Sequence, residues 1–221
     1  MAAGEGRRLR PLTARWPKPV LPIDGRPVVA TVVRALRDAG CDRLTVVTGH
    51  LAAEVEALLG DGSGFGVELR YARQPHPHGS ADAVARGLAT GAKPPLLVTT
   101  ADTVFAEGDV SRLAAALASG PCVAVRREPQ AGGSVEVADG RVTRIGGTGS
   151  AVFHASLWGL TPELVGYLDG LAGPPFELAH AYQRALDDGH EVSAIEVSPT
   201  RDLTDPLDLV KENFPYLDRA E

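Results

Sequence analysis

The chain has 221 residues, 44% of them hydrophobic, and a formal net charge of −6. That is enough apolar material for one packed domain and argues against wholesale disorder. The acidic balance argues against a nucleic-acid or membrane-surface binder, and no apolar run approaches a membrane span. Cys41 and Cys122 lie far apart in apolar stretches and read as buried core thiols, not as a disulfide or a metal pair. With no secretory h-region, the expected location is cytoplasmic.

The opening stretch, MAAGEGRRLRPLTARWPKPVLP, reads as a loop. Gly4 and Gly6 permit positive φ and close backbone approach, and successive N–H groups in such a turn form an anion-binding nest. Arg7 and Arg8 follow at once, so a triphosphate is the natural guest. Lys18 sits between Pro17 and Pro19, which are expected to exclude helix and give it a stiff support. The chain carries three lysines to nineteen arginines, so a lysine here marks a place where a compact point charge is wanted.

From residue 28 the pattern alternates. VVATVVRALRDAG puts Val28, Val29, Val32, Val33 and Leu36 on one helical face, stopped by Gly40. RLTVVTG is a β-branched strand, LAAEVEALLG a second helix and GVELRYA a strand. GSADAVARGLA is a third helix, PPLLVTTAD a strand ending at Asp102, DVSRLAAALASG a helix and PCVAVRRE a strand. Strands separated by helices predict βαβ units and a doubly wound, mostly parallel α/β sheet. After residue 130 the order changes. SVEVADGRVTRI is a hairpin, with Val135 and Val137 facing Val142 and Ile145 across Asp139-Gly140. SAVFHASLWGL is a strand. TPELVGYLDGL has Thr161 as N-cap and Pro162 at the first helical position. FELAHAYQRALDDG is a helix, HEVSAIEV a strand and DPLDLVKENF a closing helix capped by Asp205 and supported by Asp208.

The motif AAGEGRRLRPLT…PKPVLP resembles the signature of the sugar-1-phosphate nucleotidylyltransferases, the NDP-sugar pyrophosphorylases. The resemblance is strongest over residues 1–105. It implies a fold of the nucleotide-diphospho-sugar transferase type in a single domain, 1–221. Residues 1–128 would be the nucleotide-binding half, 129–200 the acceptor half and 201–221 the closing helix. It implies Mg²⁺ as cofactor and a nucleoside triphosphate and a sugar 1-phosphate as substrates, with pyrophosphate as the second product. Neither a nucleic acid nor a membrane is implied as partner.

Carried over residue by residue, Ala2, Ala3, Gly4, Glu5 and Gly6 form the nucleotide loop, with Arg8 and Lys18 catalytic. Gln74, Gly79 and Ser80 in YARQPHPHGSADAV match the base-binding segment. One amide carries both a donor and an acceptor, matching N3–H and a carbonyl of uracil or thymine, so UTP or dTTP is favoured. Taken alone, Gln74 reads as a loop residue and Ser80 as a helix N-cap. Asp102 at the carboxyl end of a strand and Asp202 before the closing helix match the two Mg²⁺ aspartates. A strand-end Asp capping a turn is the alternative for Asp102, and the ligand reading is preferred. His76 and His78 lack a carboxylate or thiolate at ligand spacing and read as loop residues. AGGSVEVADG resembles the segment that would place Gly133 at the sugar phosphate, and GGTGS (146–150) stands where many members have charged residues.

Two other readings stay open. One keeps the fold and takes a non-sugar phosphate acceptor with CTP or GTP. The other is a catalytically inactive nucleotide-sugar-binding regulatory protein. Met1 stands where the family has the last leucine of its first strand. The expectation is therefore a truncated first central strand, with the true start upstream.

Overall fold

The computed structural model describes residues 1–127, 133–147, 150–214 and 216. Residues 148–149 of the GGTGS stretch lie outside these, as do residues 128–132 and 217–221 at the edges of the expected segments. In chain order, three 3₁₀ turns lead to the short strands β1 (Pro22–Ile23) and β2 (Arg26–Pro27). Then come α1 (Val28–Asp38), β3 (Arg43–Thr48), α2 (Ala52–Leu59), β4 (Glu68–Arg73), α3 (Ser80–Ala89), β5 (Leu96–Thr99), β6 (Thr103–Val104), α4 (Asp109–Leu117) and β7 (Cys122–Arg126). The second half holds β8 (Val135–Ala138), β9 (Arg141–Ile145), β10 (Phe153–Leu160), α5 (Leu178–Asp187), β11 (Val192–Glu196), β12 (Arg201–Asp202) and α6 (Pro206–Asn213).

These elements follow local chemistry. On α1, Val28, Val29, Val32 and Val33 are buried at helical spacing. In the hairpin, Val135 pairs with Ile145 and Val137 with Val142, as the alternation predicts. α6 starts with a capping box between Asp205 and Asp208, with Pro206 at its first position. The stretch Pro162–Leu168 winds as a 3₁₀ helix instead of an α-helix. It is short, and Gly166 and Val165 both disfavour the α form. Lys18–Val20 likewise closes one 3₁₀ turn after an extended Pro17. The two prolines thus block a long helix but not a single turn.

The main sheet has the strand order β5-β10-β7-β11-β9-β8. β7 and β11 run parallel, whereas β10 lies antiparallel to both β5 and β7. The sheet is therefore mixed. β10 runs in the same direction as β9, from which β7 and β11 separate it in the sheet. Trp158, Leu160, Leu164, Leu178, Tyr182 and Val192 fill the core on one face. Of the two thiols, Cys122 is buried and Cys41 is half-buried, so only one is a core residue.

β3 and β4 form a separate parallel ladder. The amino-terminal residues join it to the main sheet. Ala2 bridges Thr48 in parallel and donates to the Val47 carbonyl at 2.7 Å. On the other side Met1 N donates to Thr99 O at 2.7 Å, and Ala101 N–H donates to Met1 O at 2.8 Å. Beyond Met1, towards the amino ends of β3 and β5, lies a groove of about 650 Å³. Arg43, Thr45, Val47, Val84, Leu88 and Leu97 are among the residues that line it. Burial pushes the Met1 ammonium down to about 6, with the Asp102 charge pulling the other way.

Met1 lines the groove, and the Met1–Ala2 backbone bonds the carboxyl ends of both β3 and β5. Five alternately apolar residues joined ahead of Met1 would bury side chains there and convert the ammonium to an amide. Such a chain is expected to melt roughly 5–10 °C above one lengthened by five Gly/Ser residues. Equal melting temperatures in differential scanning calorimetry would contradict this.

Candidate functional site

A cleft of about 430 Å³ opens at the carboxyl ends of β4 and β5. Ala2, Ala3, Gly4, Gly6, Arg8 and Lys18 line one side; Gln74, Gly79 and Ser80 line another; Asp102 lies at the base of the group. Residues far apart in sequence thus meet where open α/β sheets bind ligands.

The phosphate-type loop is shaped by Gly6, at φ +59°. A Cβ there would stand 2.9 Å from Thr13 Cγ2 and 3.2 Å from Lys18 Cβ. Thr13 Oγ1 also donates to Gly6 O at 2.8 Å, which ties the turn to the following segment. Gly4, by contrast, is outside the left-handed region and has open space around its Cα. Its contribution is clearance, not φ. Glu5 accepts from Arg7 Nε at 2.8 Å and from Arg10 at 3.4 Å. Arg7 is therefore occupied by a carboxylate, while Arg8 is exposed at the cleft.

Lys18 Nζ donates to Asp102 Oδ2 at 2.5 Å. Burial pushes the Asp102 carboxyl up, but the Lys18 charge and hydrogen bond, the Thr100 hydroxyl and the Met1 ammonium outweigh it. The net direction is below the ordinary carboxylate value. Asp202 stands beside this pair because β12 pairs with β6, setting Asp202 opposite Thr103. Thr103 Oγ1 donates to Asp202 Oδ1 at 2.7 Å. Burial first, and then the Asp102 charge, push Asp202 up, against the Thr103 bond and the charges of Lys18 and Arg126. Two carboxylates that repel each other beside a phosphate-type loop are an oxygen donor pair suited to Mg²⁺. That ion takes one or two carboxylates and completes its shell with phosphates and water. Among the described residues no cluster of three His, Cys, Asp or Glu could hold a metal alone. The pair fits Mg²⁺ only with substrate oxygens added.

At the second wall, Gln74 is buried. Its amide nitrogen donates to Gly79 O at 2.9 Å and to Asp82 Oδ2 at 2.7 Å. Both amide hydrogens are engaged, so Gln74 can offer a base only its oxygen. This corrects the expectation of a donor and an acceptor from one amide. Gly79 takes the N-cap position of α3 and Ser80 is the first helical residue. The Ser80 hydroxyl donates to Glu177 Oε2 at 2.5 Å and accepts from Leu178 N–H at 2.7 Å.

Gly133 is exposed and does not line the cleft; its N–H donates to His154 Nε2 at 3.0 Å. The sequence reading missed Glu177, Arg126 and His154. Glu177 lines the cleft 97 residues from its partner Ser80. Arg126 is buried at the end of β7, with its guanidinium 3.6 Å from Asp202 Oδ2. A charged residue closing the apolar run CVAVR was the available signal for Arg126.

Residues 1–145 match the nucleotidyl transferase family. The chain belongs to that family. It is 28% identical over 231 residues to the low-salt glycan biosynthesis nucleotidyltransferase Agl11 of Haloferax volcanii, covering 96% of this chain and 64% of that one. It is 36% identical over 107 residues to the N-acetylmuramate alpha-1-phosphate uridylyltransferase of Neisseria meningitidis serogroup B, covering 47% and 46%. The chain thus spans less than two thirds of either relative. A UDP-glucose pyrophosphorylase from Acinetobacter baumanii superposes with a TM-score of 0.81 at 22% identity, covering 100% of this chain and 93% of that one. That likeness establishes the α/β fold.

Gly79 is at φ +103°, and a Cβ there would meet Phe176 O at 2.4 Å and Phe176 N at 2.6 Å. Both effects act on backbone that cannot step aside. Gly79→Ala is expected to cost at least about 2 kcal/mol and to lower the melting temperature by roughly 4–8 °C. An unchanged thermal transition would contradict the close packing of α3 against Phe176.

Proposed function

We propose that the chain is a nucleotidylyltransferase that joins a nucleoside triphosphate, UTP or dTTP, to a sugar 1-phosphate and releases pyrophosphate. The observation that carries this reading is the Lys18–Asp102 ion pair in the cleft, beside the Gly4–Gly6 loop and next to Asp202. Family membership and a relative named as a uridylyltransferase support it.

The backbone of Ala2 to Gly6 and the Arg8 guanidinium bind the triphosphate. The Gln74 oxygen accepts from N3–H of uracil or thymine. Unprotonated N3 of cytosine offers no such donor. Asp102 and Asp202 are the residues that would hold Mg²⁺, which neutralises phosphoryl charge and orients the triphosphate when bound. An acceptor phosphate oxygen attacks the α-phosphorus in line, the bond to the β-phosphate oxygen breaks, and pyrophosphate departs with that electron pair. Charge gathers on the non-bridging oxygens, so the protein acts by position and by fixed positive charge. Lys18 supplies that charge between the α-phosphate and the incoming phosphate. Its ion pair with Asp102 keeps the ammonium aimed into the cleft before substrate arrives.

The test is pyrophosphate release from UTP, dTTP, CTP and GTP against a panel of sugar 1-phosphates. Lys18→Ala is expected to lower kcat/KM by about 10²–10⁴-fold while the thermal transition stays cooperative. Turnover within a few-fold of the parent chain would overturn the role of Lys18.

A further inference from the structure

Gln74 follows β4 directly, and its side-chain amide is held by two acceptors. Nε2 donates to Gly79 O at 2.9 Å and to Asp82 Oδ2 at 2.7 Å. A backbone carbonyl and an ionised carboxylate only accept, so this end of the amide has to be the nitrogen. The oxygen takes the opposite side. No donor among the described residues reaches it, and it is not one of the buried atoms sealed away without a partner. Gln74 lines the cleft, and Oε1 is the polar atom of its side chain left for a ligand.

Asp82 is itself fixed. Arg86, one turn further along α3, donates from Nε to the same Asp82 oxygen at 2.7 Å. One of its terminal nitrogens donates to Arg73 O at 3.3 Å. The bonds thus run in a ring, from the Gln74 side chain to Asp82, to Arg86 and back to the Arg73–Gln74 peptide. Burial pushes the Asp82 carboxyl up, but the bonds from Arg86 and Gln74 outweigh it, and the net direction is below the ordinary value. Asp82 is therefore an anion at neutral pH, an acceptor that cannot donate. An Asp in the first turn of a helix with an Arg four residues on is a common stabilising pair. That pairing accounts for the Arg86 bond. It does not require the same oxygen to take a second donor from a buried glutamine outside the helix.

We propose that Asp82 is a positioning residue for nucleotide selection: it holds the Gln74 amide with the oxygen, and only the oxygen, free for a base. This rests on the reading of Gln74 as the base contact. A wall that offers one acceptor and no donor takes a base with a ring N–H on its pairing edge, as uracil and thymine have at N3. A carboxylate accepting from the nitrogen also draws the amide's electrons towards the oxygen and makes it the better acceptor. Without Asp82 one amide hydrogen loses its partner and the amide is free to turn.

Asp82→Ala is expected to lower the ratio of kcat/KM for UTP over CTP, or for dTTP over dCTP, at least about tenfold. The change is expected in KM for the uracil or thymine nucleotide, with kcat within about threefold and KM for the sugar 1-phosphate within about twofold of the parent chain. Asp82→Asn can set its own oxygen where Oδ2 stands and is expected to keep the ratio within about threefold. An unchanged ratio in Asp82→Ala, a sugar KM that rises as much as the nucleotide KM, or Asn failing as badly as Ala would overturn the proposal. Side-chain ¹H–¹⁵N NMR of Gln74 gives a readout that needs no turnover. Both amide hydrogens are expected to exchange slowly with water in the parent chain, and one of them at least about tenfold faster in Asp82→Ala. Equal exchange in the two chains would overturn the hold on Gln74. If the parent chain does not distinguish uracil or thymine from cytosine, the reading of Gln74 as the base contact falls and the proposal with it, while the NMR result still tells whether Asp82 fixes the amide.

Discussion

Three residues of backbone, Met1 to Ala3, tie the β3–β4 ladder to the main sheet. The same residues start the loop that lines the cleft. Their hydrogen bonds reach Val47 on one side and Thr99 and Ala101 on the other. The position of Gly4 and Gly6 relative to Asp102 depends on those bonds. So does the distance from Lys18 to Asp102, because Lys18 packs against Gly6. The chemistry at the cleft is thus set by where two strand edges end, and the loop inherits its place from them.

Electrostatics then divides the site. Asp102 has Lys18 as its partner and stays ionised, while Asp202, more deeply enclosed, has the Thr103 hydroxyl and a more distant Arg126. The two carboxylates feel opposite net shifts because one has a direct cation and the other does not. A polyphosphate would bring negative charge to the exposed Arg8, and a divalent cation would relieve the repulsion between the aspartates. The arrangement is one in which ligand charge, and not a fixed protein network, completes the neutralisation.

Much of this was legible in the sequence, for reasons local to each stretch. Helical spacing of valines gave α1, the Asp-Gly turn gave the β8–β9 hairpin, and Asp205 with Pro206 and Asp208 gave the start of α6. The cleft-lining Gly4–Gly6 loop and Lys18 stood out because glycines, prolines and cations fall within a few residues of one another. What escaped notice was long-range. The antiparallel insertion of β10 is a matter of topology, which periodicity does not encode. The engaged amide of Gln74, the Ser80–Glu177 bond and the His154–Gly133 bond each depend on side chains meeting across the fold. Gly133 itself was placed by resemblance, and its partner could not be read from its neighbours.

The central claim is that the cleft transfers a nucleotidyl group, not that it merely holds a nucleotide. ³¹P NMR of the chain with Mg²⁺, UTP or dTTP and glucose 1-phosphate follows every phosphorus at once. Loss of the β- and γ-phosphate resonances of the triphosphate is expected, with equimolar growth of pyrophosphate and of a nucleoside-diphosphate-sugar diester. Triphosphate left intact across the nucleotide and sugar 1-phosphate panel, or broken down to inorganic phosphate alone, would contradict it.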